Sequence, residues 1–128
     1  MKKDILQLSM IFENMVNRHL VYHVTSKHNL TQIQKQGLIP KVPEDYGENG
    51  DEIGIYCFPS RNDVENALMN WLGERIEDWE DETGKSYDEV LLILDISGLS
   101  FTEDPDVGYE IIVKEPITPD RILKVESI

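Results

Sequence analysis

The sequence predicts an α+β fold built as one domain over residues 1–128. Three observations carry this reading. Apolar residues recur at helical spacing within roughly the first 80 residues. Short β-branched runs dominate the C-terminal half. A chain of 128 residues that is 40% hydrophobic has enough apolar surface for one core and not for two.

The elements follow in order. Ile5, Leu8, Ile11, Phe12, Met15 and Val16 recur at spacings of three and four, predicting an amphipathic helix over about 4–19. Asp4, Glu13 and Asn14 interrupt its apolar content, so it does not read as a signal peptide. "LVYHVT" (20–25) is β-branched and aromatic and reads as a strand. "SKHNLTQIQKQG" reads as a short helix. Gly37 ends it in a left-handed conformation, with Leu38 against Ile33 in a Schellman-type arrangement. The stretch 40–52 is rich in Pro, Gly and acids and reads as a long loop, a class that is usually functional or disordered. It is expected to border the functional cleft.

"IGIYCF" is a second strand, and Ser60 with Asp63 resembles a capping box. Val64, Leu68, Trp71, Leu72, Ile76 and Trp79 then form one helical stripe, with both tryptophans read as core. "EVLLILDI" (89–96) is continuously apolar and reads as a central strand buried on both faces. "SGLSFTEDPDVG" is a loop with a short strand at its start. "YEIIVK" (109–114) and "RILKVES" (121–127) are the last strands. The two prolines of "EPITPD" exclude helix between them. The early strands join the later ones in the same sheet or a facing one.

Several function classes are excluded or disfavoured. No run of 18 apolar residues is present, so no membrane helix is expected. The single cysteine, Cys57, allows no internal disulfide and suits a reducing cytoplasm. The net charge is −13, from 25 acidic and 12 basic residues. It reads as a solvated surface, or as an acidic face for a basic partner, and disfavours bulk electrostatic binding of nucleic acid. His19, His23 and His28 with one cysteine give no metal-ligand spacing, so no metal is expected. Phosphate-loop, dinucleotide-glycine and nucleophile-elbow patterns are absent. What remains is a set of polar groups on strands. His23 and Thr25 share one face of the first strand, Tyr56 sits on the second, and Glu110 opens a later one.

In chain order these groups resemble a family. "YHVTS…NLTQIQKQGLIP", "GIYCFPSRNDVENAL" and "GYEIIVKEPITPDRILKV" resemble the three motifs of ADP-ribosyltransferase-fold domains of the His-Tyr-Glu class. That class groups diphtheria-toxin-like and poly-ADP-ribose-polymerase-like enzymes with small bacterial and phage relatives. The resemblance covers about residues 20–127. It implies short helices on a split pair of small β-sheets, with NAD as substrate. It also implies that His23, supported by Thr25 or Ser26, bonds the adenosine-side ribose. By the same resemblance Tyr56 stacks on nicotinamide and Glu110 bonds the nicotinamide ribose.

The chemistry is coherent with those roles, since cleavage of the nicotinamide–ribose bond passes through an oxocarbenium-like state that a fixed carboxylate stabilises. Two departures stand out. No second stacking tyrosine follows Tyr56, leaving either Trp71 as the substitute or nicotinamide held from one side, and Gly108 occupies the position of the extra glutamate of arginine-modifying members. The expected activity is mono-ADP-ribosylation of a macromolecule, with a protein of basic face favoured over DNA or RNA. The alternative is a non-catalytic inhibitor or interaction module that uses the acidic surface.

Overall fold

The computed structural model describes residues 18–41, 52–103 and 110–128. The elements are β1 (Leu20–Ser26), a 3-10 turn (Lys27–Asn29), α1 (Leu30–Gln36), β2 (Ile55–Cys57), α2 (Arg61–Met69), α3 (Trp71–Thr83), β3 (Glu89–Asp95), β4 (Phe101–Glu103), β5 (Ile111–Val113), a second 3-10 turn (Pro119–Arg121) and β6 (Ile122–Ser127). The fold is α+β, with two small antiparallel sheets ordered β1-β3-β6 and β2-β5-β4. No helix among the described residues is long and apolar enough to cross a membrane.

Side-chain alternation explains how the layers meet. From the first sheet Val21, Leu92 and Leu94 join Ile55, Cys57, Ile111 and Val113 of the second in one core cluster, which Ile33 and Leu38 complete. The opposite face of the first sheet, through Leu91, Tyr22 and Val24, packs on Val64 and Ala67 of α2 and on Leu72 and Ile76 of α3. Strand β3 is therefore central and buried on both faces, as its unbroken apolar run predicts. Instead of the single core expected from composition, the apolar residues divide into two clusters, one on each side of the first sheet. Among the described residues, the sheets are joined at their edges by one bridge. Tyr22 N–H donates to the Phe58 carbonyl at 2.9 Å, and Phe58 N–H returns the bond at 2.7 Å.

Several expectations need correction. Residues 4–17 of the predicted first helix lie outside the described residues, and Arg18 and His19 are not helical. His19 instead continues the sheet: its carbonyl accepts the Ile96 N–H at 2.9 Å, and its own N–H donates to Ser97 Oγ at 2.9 Å. The stripe from Val64 to Trp79 is two helices, because Asn70 leaves the helical region (φ −128°, ψ −117°). At this break the start of α3 comes close to the end of α2, where a Cβ on Gly73 would stand 2.0 Å from the Leu68 carbonyl oxygen, an approach that glycine permits. The tryptophans are partly buried, with Trp71 against Phe58 and Trp79 edge-on to Tyr87. The segment "EPITPD" does hold a helical turn, a 3-10 turn that Pro119 opens, where a missing N–H costs nothing.

At Ser60 the capping arrangement forms, but with altered bonding. Its hydroxyl accepts the Asp63 N–H at 3.1 Å and donates to the Asp63 carboxylate at 2.6 Å. Arg61, the next residue, holds Glu126 of β6 through two bonds of 2.6 and 2.8 Å, tying α2 to the first sheet. With Lys124 also 3.0 Å away, the Glu126 carboxyl is held down to about 2.

No Schellman end forms at Gly37. Its φ of 77° is as predicted, but ψ is −163°, and Leu38 turns away to pair with Ile117 through two bonds of 2.9 Å. A Cβ on Gly37 would meet the Ile117 carbonyl oxygen at 2.1 Å, whereas one on Gly84 (φ 68°) would meet nothing. Gly37→Ala should therefore cost about 1–3 kcal/mol, from backbone strain and collision together. Gly84→Ala should cost less, since strain acts there alone. Urea denaturation of the two variants checks this, and equal losses would refute the steric account.

Candidate functional site

The first two motifs meet where β1 runs beside β2. A cavity of about 350 Å³ opens there, within the size range of small-molecule sites. His23, Val24 and Thr25 line it from β1, and Ile55, Tyr56 and Phe58 from β2 and the residue after it. Asn29, Gln32, Ile33 and Gln36 of α1 and the turn before it form another wall. Gly37 to Ile39, Lys41, Gly54, Leu72 and Tyr87 complete the lining.

His23 is fixed by the sheet-to-sheet junction. Its Nδ1 lies 2.8 Å from the backbone carbonyl oxygen of Tyr56. A carbonyl can only accept, so Nδ1 carries the proton and donates, and in the neutral ring Nε2 is then an acceptor. Desolvation within the fold holds the imidazole below its ordinary value. The Tyr56 carbonyl opposes that shift and the Lys41 ammonium adds to it. The ring is thus a neutral, oriented acceptor at neutral pH.

Tyr56 is buried, and its hydroxyl donates to the Glu52 carbonyl at 2.6 Å. It pairs with Ile112 across the β2–β5 ladder, so the two share the face turned away from Ile55 and Cys57. Thr25 is buried in the wall and accepts from Asn29 Nδ2 at 3.3 Å. Ser26 has a different role. Alternation turns it away from His23 and Thr25. Its hydroxyl donates to the Tyr87 carbonyl at 2.5 Å and accepts the His28 N–H at 3.2 Å, capping the 3-10 turn.

Glu110 lies one residue before β5, half-buried, and is not part of the lining. Alternation sets it on the face of Ile112 and hence of Tyr56. Glu103, expected in a loop, closes β4 instead. It pairs with Ile111, on the face opposite Tyr56, and is exposed. The Glu115 carboxylate accepts the Ser100 N–H, which ties it to the neighbouring turn. Trp71 does not line the cavity, so it supplies no second stacking ring there. Of the acidic loop predicted to border the cleft, residues 42–51 lie outside the described residues. Lys41 at its start lines the cavity, and Glu52 at its end holds Tyr56.

Sequence reasoning missed Lys41, Tyr87 and the amides Asn29, Gln32 and Gln36. The amides carried a signal, since Asn29, Gln32 and Gln36 fall at spacings of three and four on one helix face. Compared with protein-family models and with curated proteins, the chain matches neither.

The His23 geometry has a measurable consequence. The unfolded imidazole takes up its proton near 6.5, whereas the folded one resists protonation below that value. The folded state therefore binds fewer protons there, and stability falls as pH drops below about 6.5. His23→Asn should flatten that part of the stability profile. By NMR the wild-type ring should show the Nδ1-protonated tautomer and a midpoint below 6.5. A midpoint at or above it would refute the desolvated site.

Proposed function

We propose that this chain is an NAD-dependent mono-ADP-ribosyltransferase, which cleaves the nicotinamide–ribose bond and transfers ADP-ribose to a macromolecular acceptor. The acceptor is a protein with a basic face, because the acidic surface of a chain with net charge −13 attracts one. The single observation that carries this reading is the His23 junction. Ribose hydroxyls donate hydrogen bonds, and His23 offers Nε2 as an oriented acceptor on the wall of a cavity of suitable size. Tyr56 supports the reading from the same cavity wall.

In this reading His23 and Thr25 anchor the adenosine-side ribose, and Tyr56 holds the nicotinamide. Remote binding energy then orients the bond to be broken. Ser26 contributes indirectly, by fixing the turn that follows Thr25. Glu110 stabilises the cationic sugar in the transition state. Its place on the Tyr56 face of β5 supports that role over Glu103, whose side chain belongs to the other face. The position of Glu110 outside the cavity lining favours a second reading, a non-catalytic module that binds through the same fold.

Released nicotinamide decides between them. The wild-type chain incubated with NAD should liberate nicotinamide. Glu110→Gln should cut the rate by roughly a hundredfold or more while leaving NAD affinity nearly intact, because only the charge is removed. His23→Ala should weaken NAD binding by calorimetry. NAD binding without nicotinamide release, with or without a basic protein acceptor, would establish the non-catalytic reading. Wild-type turnover in Glu110→Gln would refute the assignment of the carboxylate.

A further inference from the structure

Charge is distributed unevenly over this molecule. The chain carries 25 acidic residues against 12 lysines and arginines. Yet among the described residues no aspartate or glutamate lines the cavity, and Lys41 is the one lysine or arginine that does. The rest of the polar lining is neutral amide, hydroxyl and imidazole. In a chain where acids outnumber bases about two to one, the described lining has the reverse sign.

Lys41 is also held in place. Its N–H donates to the Gly54 carbonyl at 3.1 Å, and its carbonyl accepts the Gly54 N–H at 3.2 Å, so its backbone is clamped to the start of β2. The Gly54 position is itself tight, since a Cβ there would meet Ile112 Cγ2 at 2.2 Å. The Lys41 side chain is exposed and forms no ion pair with a described acid. Lys41 and His23 line the same cavity, and the Lys41 charge adds to the disfavouring of protonation at His23. A lysine anchored through its backbone beside a neutral acceptor, in a lining with no carboxylate among the described residues, complements a ligand that has both an anionic group and a hydroxyl donor.

We propose that Lys41 is the anion anchor of this cavity, binding the phosphate groups of a nucleotide whose sugar hydroxyl is taken by His23. The cavity then selects phosphorylated nucleotides over nucleosides, despite a net charge that repels anions from the molecule as a whole. The choice of ADP-ribose as probe rests on the dinucleotide reading above. The anion anchor rests on the charge pattern of the lining.

Calorimetry on the full chain with ADP-ribose, adenosine and inorganic pyrophosphate separates the two. The wild type should bind ADP-ribose more tightly than adenosine. Lys41→Gln should lose about tenfold or more on ADP-ribose, the scale of one charge-assisted hydrogen bond, and nothing on adenosine. Lys41→Arg should keep the preference. The salt dependence of ADP-ribose binding should be shallower in Lys41→Gln. Lys41 is exposed, so unfolding temperatures of these variants should match the wild type, and a match excludes loss of fold as the cause. Unchanged ADP-ribose affinity in Lys41→Gln, an equal loss for adenosine, or no binding of any probe by the wild type would overturn the anion anchor. Pyrophosphate binding that depends on Lys41, with no added affinity from adenosine and ribose, would keep the anchor and sink the dinucleotide reading.

Discussion

The reciprocal pair of hydrogen bonds between Tyr22 and Phe58 is the constraint on which the site depends. Among the described residues it is the sole backbone pairing between the two sheets. It fixes the register of β1 against β2, and register decides which side chains face which layer. With Tyr22 opposite Phe58, both turn toward the helices of the second cluster. His23 must then turn the other way, where the Tyr56 carbonyl meets its Nδ1. A slip of one residue would send His23 under α2 and α3 and expose Tyr22 in its place. The orientation of a single imidazole is thus inherited from main-chain geometry rather than from its immediate neighbours.

Four other cations show how charge is used away from the cavity. Arg61 and Lys124 both hold Glu126, Lys114 pairs with Glu52, and Arg121 donates to the carbonyls of Asp95 and Ser97. Three of these four tie one element to another, while Lys124 reaches Glu126 within β6. Exposed pairs of this kind add little stability singly, but they occupy the charges concerned. Lys41 is not spent in this way, and the carboxylates abundant elsewhere stay off the described cavity wall.

Much of the fold was legible in local pattern. The unbroken apolar run of β3 announced a central strand, because burial on two faces leaves no room for alternation, and the β-branched runs of β1 and β6 announced strands, though not their places beside it. The break between α2 and α3 was not legible. The stripe from Val64 to Trp79 keeps its period across Asn70, and only the three-dimensional approach of Gly73 to Leu68 reveals the interruption. Glu103 was read as loop because the proline and two aspartates that follow suggested one, while pairing with β5 extends the strand. Of the site, His23, Thr25 and Tyr56 were found because strand alternation exposes a polar residue in an apolar run. Lys41 and Tyr87 were missed because they sit in stretches with turn-like composition, where local pattern does not say which way a side chain points. The tautomer of His23 depends on a carbonyl more than thirty positions away and could not be read from its own segment.

The strand order of the first sheet has a further consequence, for the route by which the chain reaches this structure. β1 pairs with β3, so Leu20 must find Asp95, and β3 then pairs with β6, which ends at Ser127. Neither ladder joins strands adjacent in sequence. Such non-local pairing must close long loops before any ladder bond is gained, which slows folding relative to helical domains of similar size. During synthesis the apolar face of β1 has no partner until the residues of β3 emerge, and β3 in turn waits for β6 on its other edge. Until β6 is made, the nascent chain therefore holds apolar strands with unpaired edges, the condition under which chaperone capture competes with folding. The dense acidic charge gives these intermediates mutual repulsion, so the property that keeps the native surface apart from its own copies also protects the chain before its sheets have closed.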